Sequence, residues 1–326
     1  MRLLALSAAL IVLVTYALTA APGTVLLESN AELAVAARHL GCAHSPGYPL
    51  HSLTGRLACA LGAGDPVFAV NLLSAFFGAL TVFFLALVLG ELGVETILAA
   101  GGGLLFGLSA TFWTQAGQSE VYTLHLALTA AALLFALRRR NGAAGERPDA
   151  RTAVALGLVV GLLLTSHNAA LTYLPALALI AFPGLKGLRA GGRGLVVAAA
   201  LLGLSSYLYL PLRAATGPPV NWAGADHVAG FWRGLTQSAY ASRGLAREGA
   251  VLAGQLGWIG ESWWRDLAPG LLPLGLAGLA VLHKRRGVLG GLLLLMVLPA
   301  LGLLLTHNQP AAEHPAHRQL HEPQSG

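Results

Sequence analysis

Long apolar runs constrain this chain more than any other feature. A bilayer core takes about 20 residues of helix at 1.5 Å each. Runs made mainly of Leu, Ala, Gly and Val recur near 3–21, 67–89, 97–113, 120–137, 152–165, 169–184, 195–212, 267–283 and 288–306. With 56% of 326 residues hydrophobic and only 10% charged, there are too few polar side chains to cover a soluble globule. The expectation is an all-α, polytopic integral membrane protein with about nine transmembrane helices. The stretch 152–184 is read as a hairpin, because one helix would exceed the bilayer and bury His167 and Asn168 in hydrocarbon.

Twenty Lys+Arg against 14 Asp+Glu give +6, which in a soluble protein would suggest nucleic acid. Here the basic residues gather in the short segments 138–151, 185–194 and 283–287 between apolar runs, so they read as a topology signal and no nucleic-acid partner is expected. Those turns are then cytoplasmic. The long loops 22–66 and 213–266, the turns 113–119 and 166–168 and the tail from His307 face outward. The expected organisation is one membrane domain over 1–306 and a polar, disordered tail over 307–326. Arg2, the first apolar run and "ALTAA" also fit a signal peptide, but Leu3–Ala21 exceeds the usual apolar region and reads as an uncleaved first helix.

In the first long loop, helices are expected over Ser29–Leu40 and Leu50–Leu61, around a Pro/Gly turn at 45–49. The second holds or borders five of the six tryptophans, at 222, 232, 258, 263 and 264, which suit the headgroup level. Cys42 and Cys59 read as free buried thiols rather than a disulfide.

Polar residues that could carry chemistry lie on the outward face. Glu28 and Glu32 open a helix just beyond the first span, where a carboxylate can serve as general base toward a hydroxyl. Ser29 and Glu32 also fit an S-x-x-E capping box, which needs no catalysis, and one carboxylate can do both. In "HSPGYPL" (44–50), His44 can donate to an anion, or the segment is simply a rigid interfacial turn. Glu120, Tyr122 and His125 sit at the outer end of a span, where Glu120 is either functional or a helix-start charge. Arg213 can clamp a phosphate or snorkel to headgroups. His307, His314, His317 and His321 lack tight ligand spacing and are not read as a metal site. No phosphate-binding Gly-rich loop, dinucleotide fingerprint, zinc Cys pair or nucleophile elbow is present.

Taken in order, "ELAVAARHLGCAHSPGYPL", "FAVNLLSAFFGALT", "TFWTQAGQSEVYTLH", "GLLLTSHNAALTYLPA" and "YLPLRAATGPPVNW" resemble the successive motifs of one family, over roughly residues 20–245. It is the polytopic family that includes the protein O-mannosyltransferases of plexin-type immunoglobulin-like domains and their bacterial relatives. The H-x-P-G-x-P-L and S-E-V-Y-x-L-H cores carry the resemblance. It implies a C-type membrane glycosyltransferase of the bacterial inner membrane, with its site on the extracytoplasmic side. The donor would be a polyprenyl-phosphate monosaccharide, mannose-like, and the acceptor a hydroxyl on an exported protein or glycolipid. Membrane lipid is the surrounding partner, and no further cofactor or metal is implied. Glu32, with Glu28 beside it, would take the hydroxyl proton. His44 and Arg213 would hold the departing phosphate, and Glu120, Tyr122, His125, His167 and Asn221 would complete the donor site. The family's usual Asp-Ser-Gly-Glu is here Ser29-Asn30-Ala31-Glu32, so the Glu is kept and the Asp position is Ser. A lipid or small-solute transporter, or an inactive truncated relative, is the alternative.

Overall fold

The computed structural model describes residues 1–25, 30–61, 64–142, 150–236, 249–282 and 285–306. The chain enters with α1 (Arg2–Thr19), then two short helices of the first long loop, α2 (Asn30–His39) and α3 (Pro49–Ala60). The apolar body follows as α4 (Pro66–Glu91), α5 (Thr96–Gly107), α6 (Ala110–Ala116), α7 (Tyr122–Gly142), α8 (Ala150–Leu164), α9 (Ala170–Lys186) and α10 (Ala190–Leu204). A 3-10 turn leads into α11 (Tyr209–Ala214), and α12 (Val228–Thr236), α13 (Gly249–Val281) and α14 (Arg286–Thr306) complete the order. Among the described residues there is no strand, only one isolated parallel bridge between Cys42 and Asn221.

The helices are inverted relative to those of a soluble protein. On α1, Ala5, Ala8, Val12 and Tyr16 are buried while Leu3, Leu10, Ile11 and Val14 are exposed. Small residues facing in and large apolar ones facing out suit a hydrocarbon solvent. Three described helices, Arg2–Thr19, Pro66–Glu91 and Ala190–Ala214, are long and apolar enough to cross a membrane. The pair Thr96–Gly107 and Ala110–Ala116 makes a fourth if its 71° bend lies within one span. The protein is therefore an all-α membrane protein with three or four candidate spans by this measure, fewer than the nine apolar runs.

Several expectations hold and others need correction. The helices of the first loop form, and the 152–184 stretch turns between Leu164 and Ala170 as expected. The run 97–113 is not one helix. It breaks at Leu108–Ser109, and the Gly107 carbonyl accepts a hydrogen bond from the Tyr16 hydroxyl at 2.6 Å. A donor from α1 thus satisfies a carbonyl at the break, which hydrocarbon could not do. The segment 213–266 is likewise not all loop. Helix α13 begins at Gly249, where Ala, Leu, Gln and Glu favour helix and Glu261 pairs with Arg265 one turn later at 3.6 Å. The tail 307–326, Glu28 and Ser29 lie outside the described residues, so the tail and the Ser29 half of the capping box are without structural description.

At the end of the bundle away from the first loop, Glu91 gathers α4, α7 and the start of α14. Its carboxylate takes Arg138 Nε at 3.0 Å and Asn141 Nδ2 at 3.1 Å, and its carbonyl takes Asn141 Nδ2 at 3.1 Å and Arg285 Nη1 at 3.5 Å. Buried Arg139 donates to the Gly184 carbonyl near the C-terminus of α9. The basic triplet that marks sidedness in the sequence therefore also ties helix ends together.

Helices α8 and α10 meet backbone to backbone. A Cβ added at Gly161 would run into the Ala200 carbonyl, one at Gly157 into the Val196 carbonyl, and one at Gly203 would sit 2.6 Å from the Leu158 carbonyl. This small-xxx-small contact had a sequence signal, G-x-x-x-G at 157–161, that the reading of apolar runs passed over. Gly161→Val should destabilise the folded protein by about 1–3 kcal/mol, the range for overpacking. Gly191→Ala, where nothing lies within 4 Å, should change it little. Thermal midpoints in one detergent measure both, and an unchanged Gly161→Val midpoint would remove this packing account.

Candidate functional site

The site is built on the end of α2 and the turn that follows it. Leu40 takes a left-handed conformation (φ 51°), and the Gly41 N–H reaches back to the Ala36 carbonyl at 2.7 Å, closing the helix. A branched residue costs about 1 kcal/mol or more there, and outside contacts hold it in place. Arg213 donates from Nε to the Leu40 carbonyl at 2.6 Å and from Nη2 to the His39 carbonyl at 3.0 Å. Tyr209 donates to the Gly41 carbonyl at 3.0 Å. Cys42 then pairs with the second long loop, its N–H to the Val220 carbonyl at 2.8 Å and its carbonyl from the Trp222 N–H at 2.9 Å. Gly41 permits this approach, since a Cβ would lie 2.8 Å from both the Val220 carbonyl and its Cβ.

Docked in this way, the turn presents His44 to Glu32, in the first turn of α2. A single carboxylate oxygen, Glu32 Oε1, meets both the His44 backbone N–H and ring Nδ1, the latter at 3.0 Å. The pair is partly open, with 31% of the His44 side chain and 21% of the Glu32 side chain exposed. Tyr48 has φ 42° as the residue before α3, with Pro49 fixing the helix start, and its hydroxyl lies 3.3 Å from His44 Nε2.

From Tyr48 a line of aromatic rings runs into the bundle. His167, in the α8–α9 turn, stacks on Tyr48 with centroids 6.1 Å apart and planes 20° from parallel. Tyr122 and His125 of α7 flank His167 at 5.8 and 5.4 Å, and Tyr173 lies 5.3 Å beyond His125. His125 Nδ1 meets Ser166 Oγ at 2.8 Å, and that hydroxyl donates to the Leu163 carbonyl at 2.7 Å. Ser166 therefore accepts from Nδ1–H, which leaves a lone pair on the buried Nε2. Glu120, buried just ahead of α7, is fixed through its backbone, its N–H and carbonyl both at 3.3 Å from Ser74 Oγ on α4.

Five of the residues singled out in the sequence thus lie along one continuous line, Glu32, His44, Tyr122, His125 and His167, and Glu120 stands two residues ahead of Tyr122, held to Ser74. Arg213 is given a structural task, closing α2, and three of its five N–H donors are used there and on Thr216. Asn221 is drawn in through its backbone bridge to Cys42, with its buried Oδ1 lacking a hydrogen-bond partner among the described residues. Glu28 lies outside the described residues. Sequence reasoning missed Tyr48, Tyr173 and Ser166. Tyr48 stood in plain view within H-x-P-G-x-P-L, but its role comes from a contact 119 positions away at His167. Among the described residues no group of three His, Cys, Asp or Glu is arranged to hold a metal ion.

A carboxylate and an imidazole at the rim of an apolar bundle can move a proton to or from a hydroxyl, and comparison with known proteins finds the chain similar to protein O-mannosyl-transferases. Residues 30–186 match the family model described as the N-terminal domain of protein O-mannosyl-transferase TMEM260. Protein O-mannosyl-transferase TMEM260 of Mus musculus is 30% identical over 227 residues, covering 67% of this chain and 32% of that protein. The chain thus spans about a third of the length of the curated relative it matches. No solved structure matches. The resemblance carried by the motifs is borne out.

Two groups beside the site have properties set by burial. Cys42 is fully buried and its thiol is pushed up to about 11, an effect the nearby Arg213 charge only partly offsets. Cys59, half-buried, is free as well. Maleimide at pH 7.5 should modify Cys59 in the native protein and Cys42 only after unfolding. Rapid native labelling of Cys42, read by peptide mass, would contradict this. His51 on α3 is buried with neither ring nitrogen hydrogen-bonded among the described residues, and burial holds its pKa at about 4. The unfolded chain binds that proton near pH 6.5, so stability should be fully present above pH 6.5 and fall by up to about 3 kcal/mol as pH drops toward 4. Thermal midpoints between pH 7.5 and 4.5 should show this loss, and His51→Leu should flatten it.

Proposed function

We propose that the chain transfers a mannose-like monosaccharide, with inversion, from a polyprenyl-phosphate donor to a hydroxyl on an exported protein or glycolipid, at the outer face of the membrane. The observation that carries the reading is the Glu32–His44 pair, held at 3.0 Å between α2 and the H-x-P-G-x-P-L turn and within the matched segment. The pair takes the hydroxyl proton as the oxygen attacks the anomeric carbon. Arg213, with two N–H donors unused among the described residues, faces the phosphate that departs. Glu120 receives sugar hydroxyls, and Tyr122, His125, His167 and Asn221 line the donor. An open groove of about 520 Å³, lined by Thr19, Ala21, Trp113, Thr114 and Gly117 among others, is the proposed path of the polyprenyl chain toward Glu120.

The proposed topology keeps the nine apolar runs as membrane-embedded segments, some shorter than a full crossing, with both long loops extracytoplasmic in a bacterial inner membrane. The Arg138–Arg140 and Arg285 cluster, at the opposite end of the bundle, supports that sidedness. Gathering of the polar side chains at one rim favours an interfacial enzyme over a transporter, whose substrate contacts usually lie at mid-membrane.

Membranes carrying the wild-type chain or a Glu32→Gln/His44→Gln double variant, given labelled polyprenyl-phosphate mannose and then glucose, test this directly. Wild type should move label into protein or glycolipid, and the folded double variant should lose about 10² or more in rate, the scale of acid–base catalysis. Donor binding without transfer by wild type would identify an inactive relative, and neither binding nor transfer would restore the transporter.

A further inference from the structure

Within that pair the two side chains are not equivalent. Glu32 Oε1 already accepts the His44 backbone N–H, and the same oxygen meets Nδ1. An oxygen that accepts one N–H presents lone pairs to the second atom, so Nδ1 carries the hydrogen. The imidazole lone pair is therefore on Nε2, where the Tyr48 hydroxyl sits at 3.3 Å. That distance is long for an O–H donor, so another hydroxyl can replace it at little cost. The groups facing His44 are Glu32 from α2 and Tyr48 from its own turn, with His167 of the α8–α9 turn stacked behind Tyr48. In model peptides an imidazole is the stronger base of the two types by about two pK units, roughly 10²-fold.

We infer that His44 is the catalytic base, with Glu32 as the residue that orients it and Tyr48 as the hydroxyl whose position the acceptor hydroxyl takes. The inference rests on the sugar-transfer reading and deepens it. The acceptor oxygen bonds to the anomeric carbon as its proton passes to Nε2. The bond from that carbon to the phosphate oxygen breaks, and its electron pair leaves with the polyprenyl phosphate. Glu32 balances the imidazolium until the proton is lost to water. This departs from the expectation that Glu32 takes the proton and His44 holds phosphate. It also accounts for the left-handed backbone at Tyr48, which aims the ring across His44, at a centroid distance of 5.0 Å, and onto His167.

Single variants with the labelled donor on which wild type is active separate the roles. His44→Gly should lose about 10² or more in rate, lose the acid limb of the pH–rate profile and regain activity when imidazole is added. Glu32→Gln should lose less, because the His44 backbone N–H keeps the amide oxygen in place and so preserves the tautomer, and it should keep an acid limb. Tyr48→Phe should keep that limb as well. An acid limb that survives in His44→Gly, with no imidazole rescue, or one that disappears in Glu32→Gln, overturns the assignment to His44 while leaving the sugar-transfer reading intact. Absence of transfer by wild type with either donor is instead the failure of that reading, and the inference falls with it.

Discussion

Arg213 joins two parts of the chain that are far apart in sequence and would otherwise be independent. Its guanidinium closes the last turn of α2 by way of the His39 and Leu40 carbonyls. Beside it, the Tyr209 hydroxyl and the two-way bridge of Cys42 to Val220 and Trp222 hold the next residues. These are charge-assisted and backbone hydrogen bonds in a partly buried setting, where an unmet carbonyl costs about 1–3 kcal/mol. With the chain fixed at 39–42, His44 turns back toward α2 and meets Glu32. An arginine that composition suggested as a phosphate clamp or a headgroup anchor thus acts first as a helix cap.

The apolar body sets the height and orientation of this rim. Helices α4 and α7 run between two polar ends, with Ser74 and Glu120 meeting near the site and Glu91 and Arg138 meeting at the other end. Between them the packing is by small residues, and α8 meets α10 at glycine against backbone carbonyls. Where lipid rather than water is the solvent, apolar area provides little drive for helices to associate, and close backbone contact with satisfied carbonyls takes its place. The Tyr16 hydroxyl at the α5–α6 break follows the same rule.

The sequence made much of this visible. Apolar runs identified an all-α membrane protein, Pro and Gly placed the turn at 45–49, the length of 152–184 and the cost of burying His167 and Asn168 placed the turn at 166–168, and the motif order pointed to the family that residues 30–186 match. What stayed hidden depends on contacts between distant segments. Periodicity treats 97–113 as continuous, because nothing local reveals that Tyr16 awaits the Gly107 carbonyl. Composition cannot say that the loops containing Cys42 and Val220 meet, or that Tyr48 lies on His167. Glu32 was found as a carboxylate near a helix start, where capping and catalysis look alike. Its tie to His44 appears only once the turn is folded back, and Trp-rich 249–264 read as loop until its helical spacing was realised as α13.

In the proposed reaction one site, formed where the two long loops meet, binds a lipid-linked sugar with its reacting carbon at His44. An experimental structure of the chain in a lipid nanodisc with a polyprenyl-phosphate mannose tests this most directly. The sugar is expected between the 44–48 turn and Glu120, with the acceptor-side face of the anomeric carbon open toward His44 Nε2 and room for one hydroxyl between them, at near-attack spacing of about 3–3.5 Å for each contact. A sugar bound instead at the Glu91–Arg138 end of the bundle, or at mid-membrane away from both loops, would contradict it.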